Sequence, residues 1–237
     1  RADEAIRTKV RELLKQARTP YEKARALYAF CAQKIRYVAV EYGQAGYEPH
    51  TAADIFRNKY GDCKDQAVLL VTMLREAGLR AWPVLIPTKD NFDLQPAFPS
   101  MWFNHAIAVV ELDGSLVFMD PTAETCAFGD LPEGDQGRHV LVIKDDGYTI
   151  EMTPVFPPEH NRVAVSVSID TKNDETITGR KTVTSYGVYD QSQRYWLLYT
   201  LPEEIQNTIA ANLQDLSVGA RVEQYQAEHL DALHLPV

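Results

Sequence analysis

The stretch Tyr60-Gly61-Asp62-Cys63-Lys64-Asp65-Gln66-Ala67-Val68-Leu69-Leu70-Val71-Thr72-Met73-Leu74-Arg75-Glu76-Ala77-Gly78 most constrains this chain, because it reads as a helix with both ends written in. Gly61 lets the chain turn sharply, Asp62 can cap the open backbone N–H groups, and Gly78 supplies a left-handed exit. Ala67, Leu70, Leu74 and Ala77 lie at helical spacing from Cys63, and Val68, Leu69, Val71 and Met73 widen the apolar face. The pattern predicts a buried central helix with a cysteine on its first turn.

A thiol in that place has two readings. A cysteine opening an apolar stripe is ordinarily a small core residue. The positive end of a helix dipole, however, favours thiolate over thiol and makes a better nucleophile. Asp62 and Asp65 oppose that charge, so a reactive Cys63 requires a cationic partner from elsewhere in the chain.

The partner comes from a hairpin. Residues 104–112 and 115–122 are two apolar-rich runs joined by Asp113-Gly114, a two-residue turn signature. If Leu112 faces Ser115, counting outward sets Ile107 opposite Asp120 and His105 opposite Thr122. His105 and Asp120 then share a face as diagonal neighbours, about 7 Å apart between backbones. A turn one residue longer would put them on opposite faces. Cys63, His105 and Asp120 thus occur in the order nucleophile, base, orienter, each at the end of an element.

The 237 residues, 45% hydrophobic, can bury one full core and a second small one. A net charge of −9 without a basic block argues against nucleic acid or an anionic membrane as the main partner. Apolar runs are short and interrupted by charge, so no span of a bilayer is expected. The chain opens at Arg1 directly into a helical pattern, with no targeting segment, as expected of a processed form or a piece of a longer protein. Cys31, Cys63 and Cys126 are too few and too widely spaced for a disulfide framework or a zinc ribbon. His229 and His234 are five apart, a poor ligand spacing, and no metal or cofactor is expected. Cys31 and Cys126 read as core or loop residues.

Upstream, residues 1–17 form an amphipathic helical pattern, and Thr19-Pro20-Tyr21-Glu22 opens a second helix through residue 35 with a capping box. Residues 36–42 look extended, a loop covers 43–49, and Thr51 caps a short helix over 52–59. Residues 80–86 read as a strand in which Pro83 suggests an edge or a bulge. The long loop 87–102 contains Pro87, Pro96 and Pro99, and Phe92, Phe98, Trp102 and Phe103 lie in or beside it, as expected of a lid or cleft wall. Strands are expected over 139–143 and 148–153, extending the hairpin sheet. Pro154, Pro157 and Pro158 mark a boundary. Beyond it, 162–169 alternates like a half-buried strand with 175–184 as its partner, followed by a helix over 202–216 and a strand over 222–225. Tyr186, Tyr189, Tyr195, Trp196 and Tyr199 read as the core of this second unit.

Gly61-Asp62-Cys63-Lys64-Asp65, Leu74-Arg75-Glu76-Ala77-Gly78-Leu79-Arg80-Ala81, Asn104-His105-Ala106 and Met119-Asp120-Pro121-Thr122 together resemble the bacterial transglutaminase-like superfamily, over roughly residues 1–155. The resemblance implies an α+β, papain-like transglutaminase core over 1–157, with the cysteine on a central helix packed against an antiparallel sheet. It makes Cys63 the nucleophile, His105 the general base and Asp120 its orienter. The implied reaction is acyl transfer on peptide or protein amides through a thioester, completed by an amine or by water. The oxyanion hole would use the Cys63 N–H and one side chain, with Tyr42, Gln44 and Trp102 as candidates. Residues 158–237 are similar to part of the β-rich domain that follows the core in large members. Such members are usually exported, which implies a periplasmic or cell-surface setting. Two alternatives stand beside this reading: a cysteine peptidase of cell-wall or periplasmic peptides, and a catalytically silent protein-binding module.

Overall fold

Helix α1 runs over Glu4–Leu13, shorter than its apolar periodicity suggests, and is capped by Asp3, whose side chain accepts from the Ile6 N–H. Helix α2, Pro20–Lys34, starts with the complete capping box of Thr19 and Glu22. The extended segment after it is a two-residue strand β1, Arg36–Tyr37, and residues 40–42 of that expectation lie outside the described residues. A computed structural model describes residues 1–39, 46–95, 97 and 102–237. The chain divides into two compact units, residues 1–156 and 157–237.

Helix α3, Ala52–Asn58, ends at Lys59 in the left-handed conformation, φ 60°. Strand β2, Tyr60–Gly61, then pairs in parallel with β1, Arg36 beside Tyr60 and Tyr37 beside Gly61. This short ladder fixes the backbone immediately before the cysteine. Helix α4, Cys63–Glu76, follows with Asp62 as N-cap, and Gly78 takes φ +80° just beyond its end.

Strands β3 (Arg80–Ile86), β4 (His105–Leu112), β5 (Ser115–Met119), β6 (His139–Lys144) and β7 (Gly147–Met152) form one sheet in the order β5-β4-β3-β6-β7. Every pairing in it is antiparallel. Strand β3 is therefore central, against the expectation from Pro83 of an edge. The ladder from β3 to β6 contains only Val84 and Leu85, so it stops beside the proline, which has no N–H to give. Strands β6 and β7 do extend the hairpin sheet, but from the far side of β3.

Helix α4 packs against β3 and β4 and against α1, α2 and α3. Its Leu69, Leu70, Met73 and Leu74 have no exposed surface. Trp82, Val84, Ile86, Ile107, Val109, Phe118, Leu131, Val140 and Val142 form one buried cluster on the sheet. The alternate residues Ala106, Ala108 and Val110 are buried as well, so β4 is covered on both faces.

The second unit contains the hairpin β8 (Val163–Thr171) and β9 (Ile177–Ser185), then α5 (Val188–Tyr199) and α6 (Pro202–Leu216). Its hairpin differs from the half-buried strand that the alternation suggests: all nine residues of β8 are exposed. Among the described residues the two strands pair only with each other, and both faces of β8 stay open. Residues 222–225 form no strand. Tyr189, Tyr195 and Tyr199 are also exposed and not core. At 4.8 Å between centroids, Tyr195 and Tyr199 pack on one another along α5. Among the described residues, this unit buries Ile205 and Leu233 together with a polar pair: Arg194, fully enclosed, with Asp190 one turn before it.

Candidate active site

Cys63 is the first residue of α4. Asp62 accepts from the Asp65 N–H, and Asp65 accepts from the Asp62 N–H, a reciprocal capping box. The Cys63 N–H has no partner among the described residues, the expected state of a first-turn donor. The repulsion expected from the two aspartates is largely met. Lys64 pairs with the other Asp62 oxygen. Asp65 accepts from the His50 N–H at 2.7 Å and contacts its ring nitrogen Nδ1 at 3.0 Å. The chain before α3 is thereby tied to the start of α4.

Gly61 is required by this packing: a Cβ there would stand 2.6 Å from Cβ of Asp65. Gly61→Ala is therefore expected to displace the capping residue and destabilise the first unit by about 1–3 kcal/mol. Urea unfolding measures the loss, and an unchanged midpoint would refute the steric account.

The hairpin has the expected register. Leu112 faces Ser115 and Ala108 faces Met119, with Asp113 at φ 50° and Gly114 at φ 79° as a primed turn requires. His105 Nε2 lies 3.0 Å from Asp120 Oδ2. Asp120 Oδ1 accepts twice from Thr122, from its N–H and its hydroxyl, each at 2.8 Å. Beside His105, Asn104 accepts from the Thr88 N–H at 2.9 Å and donates to its hydroxyl at 2.8 Å, pinning the start of β4 to the end of β3. The fully buried Tyr28 hydroxyl lies 3.2 Å from the Asp120 carbonyl and 3.1 Å from that of Cys126, anchoring the loop after β5.

Besides the bond from Nε2 to Asp120, the His105 ring hydrogen-bonds Cys63. Burial opposes a charge on His105, yet the Asp120 carboxylate and hydrogen bonds to Asp120 and Cys63 push its pKa up to about 11. Burial likewise opposes the Asp120 charge, but His105 and the Thr122 donors hold that carboxyl below its usual range. The imidazolium–carboxylate pair is thus the resting state near neutral pH. It supplies the cation that a reactive cysteine at this position requires.

All three cysteines are free thiols. Cys31 and Cys126 are fully buried, and burial raises the pKa of each. Cys63 is only half-buried. Cys126 points its sulfur at the Ala127 carbonyl, 3.7 Å away. Of the candidate oxyanion side chains, Tyr42 and Gln44 lie outside the described residues, as do Pro96, Phe98 and Pro99 of the long loop. Trp102 is 61% exposed and packs edge-to-face on Phe92.

One side chain that the sequence does not flag enters the site. Asp135, in a 3-10 turn over Glu133–Asp135, places a carboxyl oxygen in a cluster with His105 and Asp120 whose atoms lie within 4.8 Å of one another. Its only local signal is an acidic residue in a Pro/Gly-containing loop. The cluster has the dimensions of a metal site, but His105 Nε2 donates to Asp120 within it, which makes it a hydrogen-bonded network. Thr122, by contrast, could have been found, because an aspartate two residues before it commonly accepts from its N–H.

These features coincide with a known family. The core of the transglutaminase-like superfamily matches residues 7–121. The first unit thus carries the core of this superfamily, and that unit has the α+β, papain-like fold of the family. No curated protein matches the chain. Among solved structures it is similar to a provisionally named protease from Parabacteroides distasonis, at 13% identity over 73% of this chain and 34% of that one, TM-score 0.47. It is similar to a provisionally named cysteine protease from Cytophaga hutchinsonii, at 17% identity over 50% of this chain and 37% of that one, TM-score 0.37. A third is arylamine N-acetyltransferase C from Bacillus anthracis, at 10% identity over 84% and 99%, TM-score 0.38. The chain spans about a third of the length of the two protease-named structures. Among the described residues no helix is long and apolar enough to cross a membrane.

Proposed function

We propose that this protein is a cysteine-dependent acyl-transfer enzyme acting on peptide or protein amides, with Cys63 as nucleophile, His105 as acid and base, and Asp120 as its orienter. The observation that carries the reading is the 3.0 Å bond from His105 to Asp120 on a ring that also hydrogen-bonds Cys63 at a helix start. The Cys63 sulfur attacks the amide carbonyl. A C–S bond forms, the C–N bond breaks, and the His105 proton passes to the departing amine. An amine or water then attacks the thioester, His105 accepts its proton, and the sulfur leaves. Acylation removes the sulfur's hydrogen bond to His105, which lowers the basicity of the ring for the second half-reaction. The tetrahedral oxyanion is received by the Cys63 N–H.

The partial exposure of the reacting groups supports a macromolecular amide as substrate. Cys63 is half-buried and the His105 side chain 15% exposed, so both can be approached from solvent. The reading extends to an exported enzyme in the periplasm or at the cell surface, supported by the resemblance of residues 158–237 to the β-rich domain of large members.

Iodoacetamide labelling across pH, read by mass spectrometry, is the direct test. Cys63 is expected to react faster than Cys31 and Cys126 near neutral pH, and His105→Ala to slow it by on the order of 10²-fold or more. Equal labelling of the three thiols, or indifference to the His105 change, would sink the reading. Amine incorporation measured against release of ammonia or a free carboxyl then separates transamidation from hydrolysis.

A further inference from the structure

We propose that Asp135 is a positioning residue of this site, a neutral buried carboxylic acid that donates its proton to Asp120 and holds that carboxylate turned towards His105. The proposal rests on the acyl-transfer reading and adds a fourth group to it.

The argument begins with hydrogen-bond accounting. Asp135 is 3% exposed, and its Oδ2 is a buried oxygen with no partner among the described residues if both carboxyls are charged. Two ionised carboxylates so close repel, and a buried unpartnered oxygen is costly. A single proton between them removes both penalties. Asp120 already accepts two hydrogen bonds from Thr122 and one from His105, all of which favour its charged form. Among the described residues Asp135 has no such donors on its side chain, so the proton belongs on Asp135. A carboxylate has about four acceptor positions, which leaves Asp120 room for this further donor.

The backbone of Asp135 is held in place for the task. Its carbonyl accepts from the Thr153 hydroxyl at 2.6 Å, and its N–H donates to the Pro132 carbonyl at 3.0 Å. The preceding Gly134 carbonyl accepts from the Lys89 N–H at 2.8 Å. The groups facing it are His105 from β4, Asp120 after β5 and the Cys126 thiol in the following loop, with Asp130 beyond. On its own turn, Glu133 is exposed and pairs with Lys89. Burial, then the Asp120 charge, raise the Asp135 pKa to about 7, in keeping with a neutral group in the lower part of the working range. Ionisation adds an uncompensated negative charge, removes the donor and frees Asp120 to turn from His105.

The test uses the full chain, wild type and two variants. Asp135→Asn keeps an N–H donor without a titrating proton, and Asp135→Leu removes both. Infrared spectra of the wild type are expected to show a protonated-carboxyl band below about pH 6 that fades as pH rises through about 7 and is missing from Asp135→Asn. The ratio of Cys63 alkylation rates, wild type over Asp135→Asn, is expected to fall about threefold or more between about pH 6 and about pH 8.5. Asp135→Leu should label more slowly than Asp135→Asn throughout. A band that survives in Asp135→Asn, or a ratio flat with pH, overturns the proposal, and the wild-type infrared titration decides it even if both variants misfold. Failure of the acyl-transfer reading is seen separately, as a wild-type Cys63 that labels no faster than the buried thiols.

Discussion

Replacing Cys63 with serine is expected to lower acyl transfer by on the order of 10⁴-fold or more while changing stability by less than about 0.5 kcal/mol. Serine is nearly isosteric and suits the first turn of a helix, so the capping box of Asp62 and Asp65 stays intact. The hydroxyl does not ionise beside an imidazolium as a thiol can, and the attacking anion is lost. Because the three side chains act as a unit, His105→Ala should cost nearly as much, and the double variant little more than either one. Intact-mass detection of a covalent acyl-enzyme, together with turnover, checks this. A serine variant within about tenfold of the wild-type rate would move the nucleophile elsewhere.

The second large effect is structural and lies in the second unit. Arg194 is fully enclosed and donates to both Asp190 oxygens, at 3.0 and 3.2 Å, and to the carbonyls of His229, Leu230 and Leu235. Asp190 also accepts from the Val237 N–H at 2.7 Å. One guanidinium thus ties α5 to the irregular segment that follows α6. Arg194→Met strands a buried carboxylate and three carbonyls, a loss of about 3–5 kcal/mol. That is comparable to the whole stability of a small domain. Hydrogen exchange is expected to rise sharply in α5 and residues 229–237. A paired Asp190→Leu/Arg194→Met variant should recover part of the loss, since no unpaired charge remains. If the single and the paired variants exchange alike, the charge pair is not what holds this unit.

How much of this was legible in the sequence depended on the range of the forces involved. The ends of α4 were readable because a cap is local: Asp62 reaches a donor three residues on, and Gly78 satisfies its own φ. The pairing of His105 with Asp120 was readable for a related reason. Asp113-Gly114 sets the turn, and a period of two then carries the register outward to both side chains. Thr122 belongs to the same class of short-range contact.

Other features depended on contacts that sequence neighbours do not specify. Pro83 suggests an edge, yet β3 is central because the β6 ladder is short and ends before it. The apolar alternation of β8 suggests burial, but alternation states only which residues share a face, not whether anything covers it. Tyr189, Tyr195 and Tyr199 are exposed for the same reason, while an arginine occupies the buried centre because six hydrogen bonds to the chain and its carboxylate satisfy it there. The sequence by itself determined the helix that presents Cys63 and the hairpin that joins His105 to Asp120, since caps and turns act over a few residues. Only the tertiary structure brought Asp135, from a loop with no pattern of its own, beside that pair, because nothing short-range couples a 3-10 turn to the end of a strand fifteen residues earlier.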